Sequence, residues 1–249
     1  MKTDLAFRVE HLSKSFEIPT ENRNTIKERL MHFRNRLSYD TLKVLDDISF
    51  EIKKGEFFSI IGRNGSGKST LLKILAGIYT ADMGKITVNG EISPFLELGV
   101  GFNPELSGKD NVYLNSTLLG QTKKEIDRNF EEIVAFSELE QFIHLKLKNY
   151  SSGMQVRLAF ATAIQTKREI LIMDEVLAVG DAAFKDKCYD VFEKIIASGR
   201  TIIFVSHDIG SVMKYSDRVM YLEAGKIACI GSAAEAVSQY LPSHQHKES

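Results

Sequence analysis

The sequence predicts an α/β fold: short apolar runs of strand character alternate with helical segments, and a mainly helical insertion interrupts them over about residues 100–165. Three observations carry this. A glycine-rich turn, Gly62-Arg63-Asn64-Gly65-Ser66-Gly67-Lys68-Ser69, joins the apolar run 57–61 to a helix over 68–75 that Gly77 ends. Two later apolar runs, 170–173 and 201–205, end in the polar groups Asp174-Glu175 and Ser206-His207-Asp208, at the kind of strand end where ligands gather in open α/β sheets. Between 111 and 166 the pattern turns helical, with Ile126, Phe130, Ile133 and Val134 at helix spacing.

In chain order, strand-like runs at 6–9, 44–52 and 57–61 precede the glycine turn, and 85–88 follows the helix that the turn opens. Runs at 219–222 and 226–230 face each other across Glu223-Ala224-Gly225, a hairpin signal. Residues 25–37 read as a helix with Ile26, Leu30, Phe33 and Leu37 along one face. Thr25 and Glu28 form its capping box, and Arg23, Lys27, Arg29, Arg34 and Arg36 make its polar side basic. One domain over 1–249 is therefore expected. Its core falls at about 1–98 and 166–240, with a helical subdomain at about 99–165, an amphipathic insertion at about 17–42 and a polar, frayed tail at 242–249.

Bulk properties exclude several classes. The chain has 249 residues, 43% of them hydrophobic, enough for the buried core of a soluble globular protein. Thirty-two basic residues against 33 acidic ones give a net charge of -1, so no global field favours nucleic acid. Cys188 and Cys229 lack metal-ligand spacing and read as packing residues of a chain suited to a reducing cytosol. No apolar run reaches the roughly 18 residues that span a bilayer, and the first ten residues carry four charges instead of a signal-peptide core.

The glycine turn fits G-x-x-x-x-G-K-[ST], a phosphate-binding loop. Gly62, Gly65 and Gly67 let the backbone fold tightly so that successive N–H groups point inward at phosphates. Lys68 then neutralises the β and γ oxygens of a nucleoside triphosphate, and the Ser69 hydroxyl completes the shell of a Mg²⁺ ion. Arg63, Asn64, Ser66 and Thr70 belong to the same nucleotide-binding set. Asp174 is placed to hold the metal shell, directly or through water, and Glu175 to polarise the water that attacks the γ-phosphate. Taken alone, this pair is equally well an acidic turn after an ordinary strand; the upstream loop favours the chemical role. His207 is a candidate to hydrogen-bond the γ-phosphate, against a purely structural histidine at a strand end.

With Tyr150-Ser151-Ser152-Gly153-Met154 lying between the loop and the acidic strand, the chain resembles ATP-binding-cassette ATPases over nearly its whole length. The resemblance implies a RecA-like P-loop NTPase core with an antiparallel β subdomain and a helical subdomain. It also implies that a Leu-Ser-Gly-Gly-Gln signature from one subunit covers the γ-phosphate bound by the other. Ser151 and Gly153 match that signature; Tyr150 replaces Leu, Ser152 the first Gly, and Met154 the Gln. Asp181, in Ala178-Val179-Gly180-Asp181, matches the aspartate of the D-loop, by which the family's paired cassettes touch each other. A head-to-tail homodimer sandwiching two ATP molecules follows from the resemblance, with Ser151, Ser152, Gly153 and Asp181 acting in trans. The family's metal-linking glutamine is missing from 94–104, and Glu97 is the nearest candidate. Phe16 has the usual offset for the aromatic that stacks on adenine, with Tyr39 in reserve; either is also readable as cover for a sheet edge.

The insertion, the Leu98-Gly99 stretch and the run 175–181 are similar to ATPase subunits of bacterial polysaccharide exporters, above all the O-antigen subgroup; teichoic-acid exporters share much of the pattern and capsule exporters less. This implies a peripheral subunit on the cytoplasmic face of the inner membrane, partnered with a transmembrane permease and acting indirectly on a lipid-linked polysaccharide. The basic helix then meets anionic headgroups or the lipid substrate, or is a plain solvated surface helix. Some members continue into a glycan-binding β-sandwich; if the chain ends at Ser249, glycan recognition is expected elsewhere. Two competing classes are a soluble ATPase of translation or repair, which usually has tandem cassettes or a long coiled coil, and a non-hydrolysing regulator.

Overall fold

The computed structural model describes residues 4–19, 39–95, 99, 101–166, 168–174 and 181–245. In chain order its elements are β1 (Leu5–Pro19), β2 (Tyr39–Lys53), β3 (Phe57–Ile61), α1 (Lys68–Leu75), β4 (Met83–Val88), β5 (Ile92–Phe95), α2 (Gly108–Leu118), α3 (Lys123–Ser137), α4 (Ser152–Ile164), β6 (Ile170–Asp174), α5 (Ala182–Ala197), β7 (Thr201–Val205), α6 (Ile209–Tyr215), β8 (Arg218–Glu223), β9 (Lys226–Gly231) and α7 (Ala233–Gln245).

Among the described residues the strands form two sheets. One is antiparallel, in the order β2-β1-β4; the other has six strands in the order β5-β6-β7-β3-β8-β9, parallel except for β9. The near-continuous apolar runs of β3, β6 and β7 suit strands covered on both faces, and β3 and β7 are buried at every position. β3 lies between β7 and β8, so its C-terminal end sits in the middle of the sheet.

Each face of the large sheet has its own core. Ile60, Ile172, Ile203 and Val205 face one way, against α1 and the buried side of the antiparallel sheet. Phe57, Leu171, Met173 and Phe204 face the other, against Phe160 of α4 and Phe184 and Phe192 of α5. Full burial of such side chains is worth about 1.5–3 kcal/mol each. Cys188 packs in this second core, where burial pushes its thiol up to about 12. Cys229 is half-buried against the same core, and both cysteines are free. A third cluster, with Val112, Ile126, Ile133, Leu147 and Leu158, belongs to the helical segment.

The structure extends several sequence expectations. β1 runs on to Pro19 and β2 starts at Tyr39, well outside the apolar runs that announced them. β5, α5, α6 and α7 have no counterpart in the sequence reading. The tail expected to fray from 242 is corrected in part, because α7 continues through Pro242 to Gln245. The helix expected over 25–37 and its Thr25–Glu28 capping box lie outside the described residues. A capping box does occur at α3, where Thr122 and Glu125 bond reciprocally. Among the described residues no helix is long and apolar enough to cross a membrane.

Candidate nucleotide site

The phosphate loop leaves the buried end of β3 and turns into α1 through three glycines. Gly62, Gly65 and Gly67 have φ of 157°, 78° and 104°. A Cβ on Gly67 would stand 2.8 Å from the Val44 carbonyl oxygen and 2.9 Å from the Leu45 side chain, and one on Gly62 would collide with the Leu222 carbonyl. Gly65 has nothing within 4 Å, so its requirement is conformational alone. The hairpin found in the sequence braces this turn. Ala224 and Gly225 both have positive φ, the Gly225 amide donates to the Ser66 carbonyl at 3.1 Å, and the Asp46 amide donates to the Gly225 carbonyl at 2.9 Å. That support is not legible in the sequence, because it joins segments far apart along the chain.

Lys68 is 6% exposed, and its ammonium donates to the carbonyls of Gly62 (2.7 Å) and Arg63 (2.9 Å). A buried cation at the first turn of a helix places positive charge beside amides that already favour an anion. Ser66 contributes its backbone to the loop, and its Oγ is buried without a hydrogen-bond partner among the described residues. A cleft of about 750 Å³ opens over the loop, lined there by Asn64, Gly65, Gly67, Lys68, Ser69 and Thr70. Asp174, Val205 and His207 line it too, the first two from the ends of β6 and β7.

The cleft's lining also has an apolar part: Phe16, Leu42 and Val44. Phe16 packs edge-on against Tyr79 with centroids 5.9 Å apart, and the Lys14 ammonium lies 5.3 Å from its ring. Lys14 in turn pairs with Asp82 at 2.7 Å, and the Ser15 amide donates to the same carboxylate at 2.6 Å; these two contacts hold its pKa below the usual value. The edge around Phe16 is thus fixed by polar contacts to the end of the sheet. Tyr39 pairs with Pro19 further along the ladder, beyond the Phe16–Leu42 pair that lines the cleft. Glu97 and Glu175 lie outside the described residues.

The site's donor set suits a triphosphate with a hard cation. Ser69 supplies a hydroxyl and Asp174 a carboxylate to one cleft. Among the described residues no group of three or more His, Cys, Asp or Glu could hold a metal alone. Mg²⁺ commonly needs only one or two protein oxygens when phosphates and waters fill the rest of its shell.

Ser151, Ser152 and Gly153 are exposed at the start of α4 and do not line the cleft of their own chain. Ser151 caps α4, accepting from the Met154 amide at 3.2 Å. Asp181 caps α5, accepting from the Phe184 amide at 3.0 Å, and also pairs with Arg157; the amide first and then the guanidinium hold its carboxyl below the usual range. Arg157 reaches Glu138 at 2.6 Å as well, tying the C-terminal end of α3 and the start of α5 to the middle of α4.

The family described as ABC transporter matches residues 45–178, from within β2 to four residues beyond the end of β6. The chain belongs to the ABC transporter family. An O-antigen export system ATP-binding protein, RfbB of Klebsiella pneumoniae, is 41% identical over 235 residues, covering 92% of this chain and 95% of its own. A teichoic acids export ATP-binding protein, TagH of Listeria monocytogenes serotype 4b, is 35% identical over 240 residues, covering 96% of this chain and 71% of its own. Among solved structures, the dimeric post-hydrolysis ATP-binding cassette MJ0796 bound to ADP and Pi superposes with a TM-score of 0.70 at 22% identity, covering 91% of this chain and 98% of that one. The α/β fold with its antiparallel sheet and helical segment is that of an ABC ATPase cassette.

Proposed function

We propose that this ABC transporter chain is the ATP-hydrolysing subunit of a bacterial exporter of lipid-linked polysaccharide, with O-antigen as the glycan class. The observation that carries the reading is the 41% identity to an O-antigen export ATP-binding protein along nearly the full length of both chains. Teichoic acid is the second reading, supported by the TagH relatives at 35% identity over 96% of this chain. The chain works from the cytoplasmic face of the membrane beside a transmembrane permease, and does so as a homodimer.

In this reading the loop from Gly62 to Ser69 wraps the triphosphate with its amides, and Lys68 leaves the Gly62 and Arg63 carbonyls for the β and γ oxygens. Ser69 and Asp174, with Glu97 as a further candidate, would hold Mg²⁺, which would draw charge from the phosphate oxygens. Glu175 accepts a proton from the attacking water, and His207 donates to the γ-phosphate. Water oxygen bonds to the γ-phosphorus, the bond to the β-γ bridging oxygen breaks, and ADP and inorganic phosphate leave. Ser151 and Gly153 of a second copy close the γ-phosphate face, and Asp181 of that copy lies beside them. ATP binding closes the dimer and hydrolysis reopens it, shifting the permease between states.

Deleting the chain from its host should remove one surface polymer and leave its lipid-linked precursor inside; complementation by the wild type, but not by Glu175→Gln, should restore it. A polymer rich in polyol phosphate would select the teichoic acid reading. An unchanged surface glycan would refute export of either class.

A further inference from the structure

Tyr150 stands where the family's signature has leucine, directly before Ser151, and the structure gives its hydroxyl a task that leucine cannot perform. The side chain is 6% exposed, and its hydroxyl donates to the Phe142 carbonyl at 2.8 Å. Opposite it lies Gly108, the first residue of α2. Gly108 is not among the glycines with positive φ, so alanine would suit the helix better on propensity. What excludes alanine is space: a Cβ there would collide with the Tyr150 hydroxyl and stand 3.0 Å from the Ile143 carbonyl oxygen.

The same two stretches are stitched along their backbones. Gly108 and Lys109 amides donate to Leu145 (3.0 Å) and Ile143 (2.8 Å), and Leu147 and Lys148 amides donate back to Leu106 (2.9 Å) and Pro104 (3.0 Å). The segment that delivers Ser151 to the surface therefore follows the position of the loop before α2. Tyr150 fills the last point of contact before the serine emerges.

We propose that Tyr150 is a positioning residue: locked between Gly108 and the Phe142 carbonyl, it sets where Ser151 stands when it meets a second copy's γ-phosphate. The inference rests on the in-trans role given to Ser151 above. Because ATP is held first by the Lys68 loop of the other copy, a displaced signature should slow turnover and leave nucleotide capture nearly intact.

The test uses the full chain with its permease and compares Tyr150→Phe, Tyr150→Leu, Gly108→Ala and the Gly108→Ala/Tyr150→Leu double variant. Tyr150→Phe should lower kcat about fivefold, the rate equivalent of one ordinary hydrogen bond. KM for ATP should stay within about twofold, as for an interaction made only in the closed state. Gly108→Ala should lose kcat and Tm in the wild-type background, and part of both should return when Tyr150→Leu removes the obstructing hydroxyl. Wild-type kcat in both Tyr150 variants, or strictly additive effects in the double variant, would overturn the proposal; should Gly108→Ala fail to fold, the Tyr150 variants decide. Ser151→Ala separates the levels: if it leaves kcat unchanged, the in-trans reading itself fails, whereas loss of kcat there with none at Tyr150 sinks only the positioning role.

Discussion

Gly67 is glycine for two independent reasons, and a substitution can tell them from the single reason at Gly65. Both have left-handed φ, but only Gly67 faces the Val44 carbonyl and Leu45 at under 3 Å. Gly65→Ala should therefore cost about 1 kcal/mol, the conformational term alone, while Gly67→Ala should cost about 2 kcal/mol or more and abolish nucleotide binding. Urea unfolding followed by circular dichroism checks the order, since the chain has no tryptophan to report by fluorescence. At this scale the sequence was most legible where chemistry dictates residue type at fixed spacing: the loop, Asp174 and His207 meet around one cleft. What holds the loop was hidden. The Gly225 amide and the Val44 carbonyl are backbone groups, and any residue string can supply them.

Elements were legible where periodicity was unbroken. β1 buries Phe7 and Val9 in alternation and then Leu12, a step of three, because the ladder shifts register between Val9 and Leu12, where His11 takes a φ of 51°. A period-2 reading stops at that bulge and loses the strand that carries Phe16. β5 hides for another reason: Pro94 argues against a strand, yet β5 is an edge strand, where proline is tolerated. Caps give elements their testable boundaries. Thr122→Ala breaks the α3 capping box and should lower stability by about 1 kcal/mol, read as a shift in urea midpoint at constant slope. The C-terminal end of α3 is also joined to α5 through Glu138, whose carboxyl Lys187 and then Arg157 hold below its ordinary 4.5. A depressed carboxyl stabilises the fold above the unfolded value, and that contribution is lost as pH falls through the folded one. Wild type and Glu138→Gln should thus differ in Tm at neutral pH and converge as pH drops below 4.5, by a small amount because the pair is exposed.

At the scale of the whole molecule, the helical segment has a core of its own, built on Ile126, Ile133 and Leu158, and presents Ser151 and Gly153 at an exposed helix start away from the chain's own cleft. A signature so placed can serve a γ-phosphate only if another copy brings one to it, which makes mixing of two defective chains decisive. A chain with Lys68→Ala should be inactive through its loop, and one with Ser151→Arg inactive through its signature. In a head-to-tail dimer of the two, one composite site unites both defects and the other combines the intact loop of the second chain with the intact signature of the first. Half of randomly formed dimers are mixed and each has one sound site of two, so mixing two dead proteins should restore about a quarter of wild-type turnover, provided one site suffices. Sites built within single chains would stay dead at every mixing ratio. ATPase rates measured across the ratio, with a maximum at equal amounts, would establish the composite site; a flat baseline, together with mixed dimers demonstrated by tag pull-down, would refute the closure in trans on which the proposed export cycle depends.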